Sequence, residues 1–239
     1  IALKMATNNE GRKNGFQKPH SQNQLFSWGC QIFGLAVFYP LAAGVISESD
    51  ENIGLGIVLI HIVITVLSVS LWIYLELHDP AEASCWGSLL PQSPRWTSTK
   101  YCRIHKKKIE GLDHFCEWLN VSIGRSNYVP FFLLVFLGLI QFLLQVILGV
   151  FVVLHWNDFS IIILIGGLFV ILFSGFIECM YIMLFSFHVY LSIKGMSTYD
   201  YTVEQSKKFK KPKAQAVEKK KPVGTTNQEE GVAVSPEVV

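Results

Sequence analysis

Residues 53–75, IGLGIVLIHIVITVLSVSLWIYL, contain no Asp, Glu, Lys or Arg. A helix rises 1.5 Å per residue, so about 20 apolar residues are needed to cross a hydrocarbon core of about 30 Å. The run is therefore long enough to span a membrane. Trp72 and Tyr74 near its end are aromatic residues of the kind enriched at the membrane interface.

Three further apolar runs of membrane length lie at residues 25–46, 128–154 and 159–191. We predict an all-α membrane protein with four transmembrane helices and a cytosolic loop domain between spans 2 and 3. The predicted parts are an N-terminal tail (1–24), spans 1 and 2 (25–75), the central loop (76–127), spans 3 and 4 (128–193) and a basic, partly disordered C-terminal tail (194–239). The N-terminal tail is expected to be flexible because it is polar and has no apolar periodicity.

The distribution of basic residues predicts the orientation. Of the 20 lysines and arginines, 4 lie in the N-terminal tail, 7 in the central loop and 9 in the C-terminal tail, whereas the short turns at 47–52 and 155–158 have none. Because positively charged loops stay in the cytosol, both termini and the central loop are predicted to be cytosolic. We expect a multi-pass protein of an endomembrane (ER or Golgi) or of the plasma membrane.

The basic C-terminal tail has two interpretations, which remain open. One is retention on the cytosolic side together with solubility, and the other is attraction to anionic lipid. In either case the expected partner of the membrane-facing parts is the lipid bilayer, and we expect no nucleic acid.

The central loop contains the stretch Asp113-His114-Phe115-Cys116. Cysteine attacks as its thiolate, a neighbouring histidine can accept the proton, and a carboxylate can orient the imidazole. In an extended segment residues i and i+2 project to the same side, so His114 and Cys116 could meet. Cys116 lies just before a membrane span, which suits attack on a thioester whose acyl chain lies in the bilayer.

This pattern resembles the DHHC protein S-acyltransferases (palmitoyltransferases). Their cysteine-rich domain ends in Asp-His-His-Cys, followed by x-Trp, Asn-Cys, Gly-x-x-Asn and an aromatic residue. The corresponding residues in this chain are Asp113, His114, Phe115, Cys116, Trp118, Asn120, Gly124, Asn127 and Phe131. Asp79-Pro80 resembles the family's Asp-Pro-Gly element, and Ser197-Thr198-Tyr199-Asp200 resembles its Thr-Thr-x-Glu element. The resemblance covers residues 25–205.

The resemblance implies that Cys116 carries the acyl group, with His114 as its base and Asp113 as the orienting carboxylate. Thr198, Asp200 and Asn127 would support these three. The implied co-substrate is an acyl-CoA such as palmitoyl-CoA, and the implied partners are cytosolic or membrane substrate proteins. Candidate contacts for the CoA phosphates are Arg103, Lys106, Lys107 and Lys108.

The same family binds two zinc ions through eight ligands in this loop, and here most of those ligands are missing. Of the matching positions Cys102 is retained, while the others hold Tyr101, His105, Lys108, Phe115 and Ser122, and the first Cys-x-x-Cys pair would fall at Ser88 and Pro91. Two sites of four ligands each cannot be built from these residues. A single site that includes Cys85, Cys102 and His105 remains an alternative to free thiols and a surface histidine. We expect the loop to be ordered by packing of Trp86, Trp96, Phe115 and Trp118 against each other or against the membrane surface.

Two functions follow from these observations. The first is a protein-cysteine S-palmitoyltransferase acting through Cys116. The alternative is a catalytically inactive DHHC-family scaffold or adaptor, which the missing zinc ligands favour. A four-helix channel or transporter has little support, because the spans are poor in convergent polar groups.

Overall fold

Four long helices form where the apolar runs predict them, in a computed structural model that describes residues 11–48 and 53–218. In chain order the helices are α1 (Gln22–Glu48), α2 (Ile53–Leu77), α3 (Pro94–Thr97), α4 (Tyr128–Leu154), α5 (Ile161–Lys194) and α6 (Thr198–Glu218). By length and composition α1, α2, α4 and α5 can each cross a membrane. The predicted four-span, mostly helical fold is confirmed.

The helix ends differ from the predicted spans by a few residues. The helix α5, at 34 residues, is about 51 Å long and exceeds the thickness of a hydrocarbon core. It ends at Gly195, whose φ of 65° is the left-handed conformation that commonly terminates helices. Predictions for residues 1–10, for 219–239 and for most of the acidic turn at 47–52 lie outside the described residues.

The spanning helices are joined by close packing and by a chain of buried polar groups. Helix α4 packs against both α5 and α2, and α1 packs against α5. Gly149 of α4 and Gly167 of α5 allow the backbones to approach, as small residues do at membrane helix interfaces. Gln145 of α4 lies 3.0 Å from the His61 ring of α2 and accepts a 2.7 Å hydrogen bond from Ser174 of α5. These contacts connect three spans within the apolar interior.

Between α2 and α4 the chain forms two antiparallel hairpins, which the prediction did not include. Strand β1 (Thr99–Cys102) pairs with β2 (Lys107–Glu110), and β3 (His114–Cys116) pairs with β4 (Val121–Ile123). The buried side chains of the second hairpin pack with α2 and α4 in one core that also contains Cys116, whereas those of the first hairpin form a separate small cluster of Cys102, Ile109 and Leu112. The second hairpin therefore fixes residues 114–116 directly against the membrane helices.

The C-terminal region predicted as a tail begins with a helix. Ser197 and Asp200 form reciprocal hydrogen bonds at its start, with Ser197 Oγ accepting from Asp200 N at 3.1 Å and donating to Asp200 Oδ2 at 2.6 Å. The bond from Asp200 N to the Ser197 side chain is one half of a capping box and favours helix initiation. The chain divides after Tyr201 into two units, and the second is helical as far as Glu218.

Candidate active site

The structure brings Asp113, His114 and Cys116 together. Strand β3 is extended, so His114 and Cys116 lie on one side of it. Asp113 Oδ2 lies 2.9 Å from Nδ1 of His114. This contact leaves Nε2 for a partner on the other side of the ring, and Cys116 is close enough to His114 to raise the pKa of the imidazole. A nucleophile, a base and an orienting carboxylate thus form one connected group.

Asp113 is fully buried and is held by several donors. Thr198 donates from Oγ1 to Oδ2 at 2.6 Å and from its backbone N–H to Oδ1 at 3.2 Å. The backbone N–H of Tyr199 donates to the Asp113 carbonyl oxygen at 2.8 Å. Burial opposes ionisation of Asp113, but the hydrogen bonds from His114 and Thr198 outweigh it and hold its pKa below the usual range. Asp113 is therefore an anion beside the imidazole.

The pKa of the His114 imidazole is shifted in the opposite direction, above its usual value. Burial by itself lowers its pKa, but the hydrogen bonds and charges of Asp113 and Cys116 outweigh burial and raise the pKa to about 9. A histidine in this environment retains a proton taken from a neighbouring thiol.

Three further residues complete the site, and the sequence did not reveal their roles. The guanidinium of Arg95 lies 3.5 Å from Asp113 Oδ1 and donates a 3.2 Å hydrogen bond to Tyr128 Oη. Tyr128 Oη lies 3.3 Å from Nδ1 of His188. Arg95 is on the four-residue helix α3, where its only sequence signal was a positive charge adjacent to Trp96. A buried arginine needs an anionic or polar partner, and here the partner is Asp113.

Cys116 borders a cavity of about 830 Å³. All four spanning helices contribute to its lining, including Cys30 of α1, Trp72 of α2, Phe142 of α4 and Phe173 of α5. The lining is predominantly aromatic and aliphatic. Such a volume is typical of pockets that bind a small molecule.

The cavity extends from the loop into the membrane-spanning region. Along α4 the lining runs from Phe131, near the loop, to Phe142, which is a rise of about 16 Å. Both His114 and Cys116 belong to the lining, and both lie in the loop before α4. The reactive group is therefore at the loop end of an apolar chamber that is long enough to accept an extended hydrocarbon chain.

Two predicted supporting residues are near the site without contacting Asp113. Asp200 pairs with Lys100 at 2.9 Å, which connects the start of α6 to β1. Asn127 accepts from Gly124 N at 2.8 Å and donates to the Ser122 carbonyl oxygen at 3.0 Å, which fixes the turn between β4 and α4. Of the three residues expected to support the site, Thr198 is the one that contacts the carboxylate.

The predicted phosphate contacts lie in the first hairpin. Arg103 and Lys106 are exposed in its turn, and Lys108 is exposed on β2. Lys107 forms an ion pair with Asp79. The residues that line the cavity do not include any of these four, so they form a basic surface outside the chamber.

The residues at the family's zinc positions do not fit a zinc ion. Cys102 Sγ lies 3.1 Å from Ser122 Oγ, and Ser122 Oγ lies 3.0 Å from Nδ1 of His105. Structural zinc takes four nitrogen or sulfur ligands, whereas this corner offers one thiol and one imidazole, and Phe115 packs against the imidazole at 5.9 Å between ring centroids. Within residues 11–48 and 53–218, the one cluster of three metal-type side chains is Asp113, His114 and His188.

The side chains of the Asp113, His114 and His188 cluster also have partners within the protein. Asp113 is bonded to Thr198 and His114, and the Arg95 cation lies beside it. Cys85, which was considered as a ligand with Cys102 and His105, is exposed in a short 3₁₀ helix, Cys85–Leu89. We therefore assign no step of the chemistry to a metal ion.

Comparison with known proteins agrees with this geometry. A family model described as DHHC palmitoyltransferase matches residues 85–205. The chain is 28% identical to "Probable protein S-acyltransferase 20" of Arabidopsis thaliana over 122 residues, which cover 44% of this chain and 17% of that protein. It is 42% identical to "Probable protein S-acyltransferase 15" of the same plant over 38 residues, which cover 16% of this chain and 15% of that protein. The chain thus matches less than a fifth of the length of either relative.

Proposed function

This chain belongs to the DHHC palmitoyltransferase family, and we propose that it is a protein-cysteine S-acyltransferase acting through Cys116. In this proposal a long-chain acyl group, such as palmitoyl, passes from acyl-CoA to Cys116 and then to cysteines of cytosolic or membrane substrate proteins. The observation that carries the proposal is the position of Cys116, which together with His114 lines an apolar cavity of about 830 Å³. The cavity would hold the acyl chain while the thioester lies at the thiol.

In the first step the Cys116 thiol gives its proton to Nε2 of His114. The thiolate attacks the carbonyl carbon of the acyl-CoA thioester, a new carbon–sulfur bond forms, and the bond to the CoA sulfur breaks. The departing CoA thiolate takes the proton back from His114. Asp113, which lies 2.9 Å from Nδ1, stabilises the imidazolium during this exchange.

In the second step a cysteine of the substrate protein gives its proton to His114. Its thiolate attacks the acyl group on Cys116, and Cys116 leaves as a thiolate that is protonated again by His114. No cofactor is consumed in the cycle. Thr198 and Arg95 would keep Asp113 ionised in both steps, and Asp200 and Asn127 would fix the surrounding backbone.

The proposed placement has the loop domain at 76–127 and both tails in the cytosol, in an endomembrane or the plasma membrane. This orientation gives Cys116 access to cytosolic acyl-CoA. The exposed basic residues of the first hairpin, Arg103, Lys106 and Lys108, are proposed to meet the CoA phosphates. Lys107 is a weaker candidate, because Asp79 already neutralises it.

Acyl loading tests this proposal against the scaffold alternative. Purified full-length protein is incubated with a clickable palmitoyl-CoA, and hydroxylamine-sensitive label is measured for the wild type, Cys116→Ala and Cys30→Ala. Cys30 is the matched control, because its thiol lines the same cavity. We expect the label to be lost in Cys116→Ala and retained in Cys30→Ala. Equal label in wild type and Cys116→Ala, in folded protein, would leave a non-catalytic scaffold.

A further inference from the structure

The two hairpins of the central loop are bridged by direct contacts between side chains. Cys102 on β1, His105 in the turn that follows and Ser122 on β4 connect the first hairpin to the second by side-chain contacts of 3.1 and 3.0 Å. His105 is fully buried. Its imidazole is thus part of a hydrogen-bonded core that offers one thiol and one imidazole, too few ligands for structural zinc.

Residues 11–21, which we call the strap, lie over the same two hairpins. At the first hairpin Gly11 is in close contact with the His105 backbone, where a larger residue would overlap the carbonyl oxygen. At the second hairpin Gly15 is buried, and a Cβ there would lie 2.5 Å from the Leu119 carbonyl oxygen. Glycine is needed at both points because the two backbones touch.

Asn120 binds the strap to the turn that follows Cys116. Its side-chain N–H groups donate to the carbonyl oxygens of Gly15 at 3.1 Å and Pro19 at 3.2 Å and to Gln24 Oε1 at 3.0 Å. Its φ of 53° places it in the left-handed region that asparagine tolerates. One side chain in the loop therefore holds the strap at two points, Gly15 and Pro19.

The strap is also joined to α2 and is closed on itself. Gly15 N donates to the Glu76 carbonyl oxygen at 2.7 Å. The Arg12 guanidinium donates to the carbonyl oxygens of Asn14 at 3.1 Å and Gly15 at 3.2 Å, and also to that of Gln17 and, at 3.2 Å, to that of Pro19. One cation thus organises four backbone carbonyls, which gives this polar segment a defined shape.

The strap and the first turns of α1 bind residues 117–120, the turn that directly follows strand β3. Ser21 Oγ donates to the Glu117 carbonyl oxygen, and Asn23 donates to the Glu117 carboxylate at 2.7 Å. Ser27 of α1 donates to the Trp118 carbonyl oxygen at 3.1 Å. Residues 117–120 are therefore bound to the N-terminal segment along their length, immediately after Cys116.

We propose that in this protein the strap replaces structural zinc as the element that orders the central loop, so that the loop folds without a metal ion. Structural zinc contributes folding free energy directly, and a loop that lacks its ligands needs another source of order. The aromatic residues predicted to help order the loop pack one by one on separate partners: Trp96 on Tyr128, Trp118 on Phe26, Trp86 on Tyr74 and Phe115 on His105. The strap connects the two hairpins, α1 and α2.

The test compares matched variants of the full-length protein in detergent. Gly15→Ala adds one methyl group against the Leu119 carbonyl, whereas Gly29→Ala adds the same group where no atom lies within 4 Å. Arg12→Ala removes the cation that shapes the strap, and Lys18→Ala removes an exposed cation of the same segment. The readouts are zinc content, thermal stability with and without a zinc chelator, and amide hydrogen exchange at residues 99–127.

We expect the wild-type protein to contain far less than one zinc ion per chain. We also expect a zinc chelator to leave its thermal stability unchanged. Amide protection of residues 99–127 should fall at least about tenfold in Gly15→Ala and Arg12→Ala and stay at the wild-type level in both controls. Stoichiometric zinc whose removal exposes the loop would overturn the proposal, and so would unchanged protection in Arg12→Ala. If Gly15→Ala does not fold, Arg12→Ala still decides, because it removes side-chain contacts without placing an atom against the Leu119 carbonyl oxygen. These readouts do not depend on acyl transfer, so the proposed function can fail while this inference holds.

Discussion

His114 and His105 are nine residues apart in the same loop, and their surroundings give them opposite acid–base behaviour. Burial lowers the pKa of both rings. At His114 the hydrogen bonds and charges of Asp113 and Cys116 more than compensate, and the pKa rises to about 9. At His105 the ring is bonded to the Ser122 hydroxyl and lies near the Arg12 cation, and the pKa falls to about 4.

The difference shows that one bonded carboxylate decides what a buried histidine can do. His114 can take and return a proton, whereas His105 is a neutral hydrogen-bonding group in a core. The corner proposed to be catalytic and the corner at the family's zinc positions are therefore separable: the first contains an acid–base pair although the second does not contain a set of zinc ligands. Substitutions at the two corners test whether they are independent.

The largest effect is expected from replacing each histidine by alanine. His114→Ala should lower the rate of acyl loading at least about 100-fold, because a positioned general base contributes about 10²- to 10⁴-fold. His105→Ala should instead lower the free energy of unfolding by about 1–3 kcal/mol, since the buried Ser122 hydroxyl loses a partner. Loading rate and thermal melting are measured for both variants. A folded His105→Ala protein that cannot be loaded would contradict the separation.

Arg95→Met should affect both stability and chemistry. The Arg95 and Asp113 side chains are 6% and 0% exposed, and removing one partner of a buried ion pair costs about 3–5 kcal/mol. Loss of the cation should also raise the pKa of Asp113, so loading should decline at a higher pH than in the wild type as the solution is acidified. Arg95→Lys, which keeps the charge, should restore part of the pH profile. A destabilised Arg95→Met protein with an unchanged profile would reduce Arg95 to a structural role.

Thr198→Val should have the smallest effect of the three. It removes the 2.6 Å hydrogen bond to Asp113 Oδ2 but keeps the backbone N–H bond to Oδ1 at 3.2 Å. Because this hydrogen bond helps to depress the pKa of Asp113, its contribution is present above the ordinary carboxyl pKa and is lost as the pH falls through the depressed value. In Thr198→Val that loss should occur at higher pH, and loading at neutral pH should fall about tenfold.

The matched control for Thr198→Val is Thr99→Val, at an exposed position on β1. Loading rates of both variants are measured from acidic to neutral pH. Coincident profiles for Thr198→Val, Thr99→Val and the wild type would show that the hydroxyl does not support the carboxylate.

The four spans were predictable because the hydrophobic signal is carried by 20 or more consecutive residues and needs no distant partner. The hairpins were not predictable, because strands of three and four residues such as Val121–Ile123 are too short to show an alternation of apolar and polar residues. The start of α6 carried a readable signal in Ser197 and Asp200, the spacing of a capping box, which the tail assignment overlooked. The strap carried no such signal, because its order comes from Arg12 and from Asn120, about a hundred positions away.

The sequence by itself determined the four membrane helices and the family, and it placed Asp113, His114 and Cys116 as the candidate reactive residues. Only the tertiary structure decided which groups hold Asp113, that His105 belongs to a neutral core, and that residues 11–21 bind the loop. Hydrophobicity adds up along the chain and can be read locally. Hydrogen-bond partners depend on where distant segments meet: Thr198 reaches Asp113 across 85 positions, and Asn120 reaches Gly15 across 105.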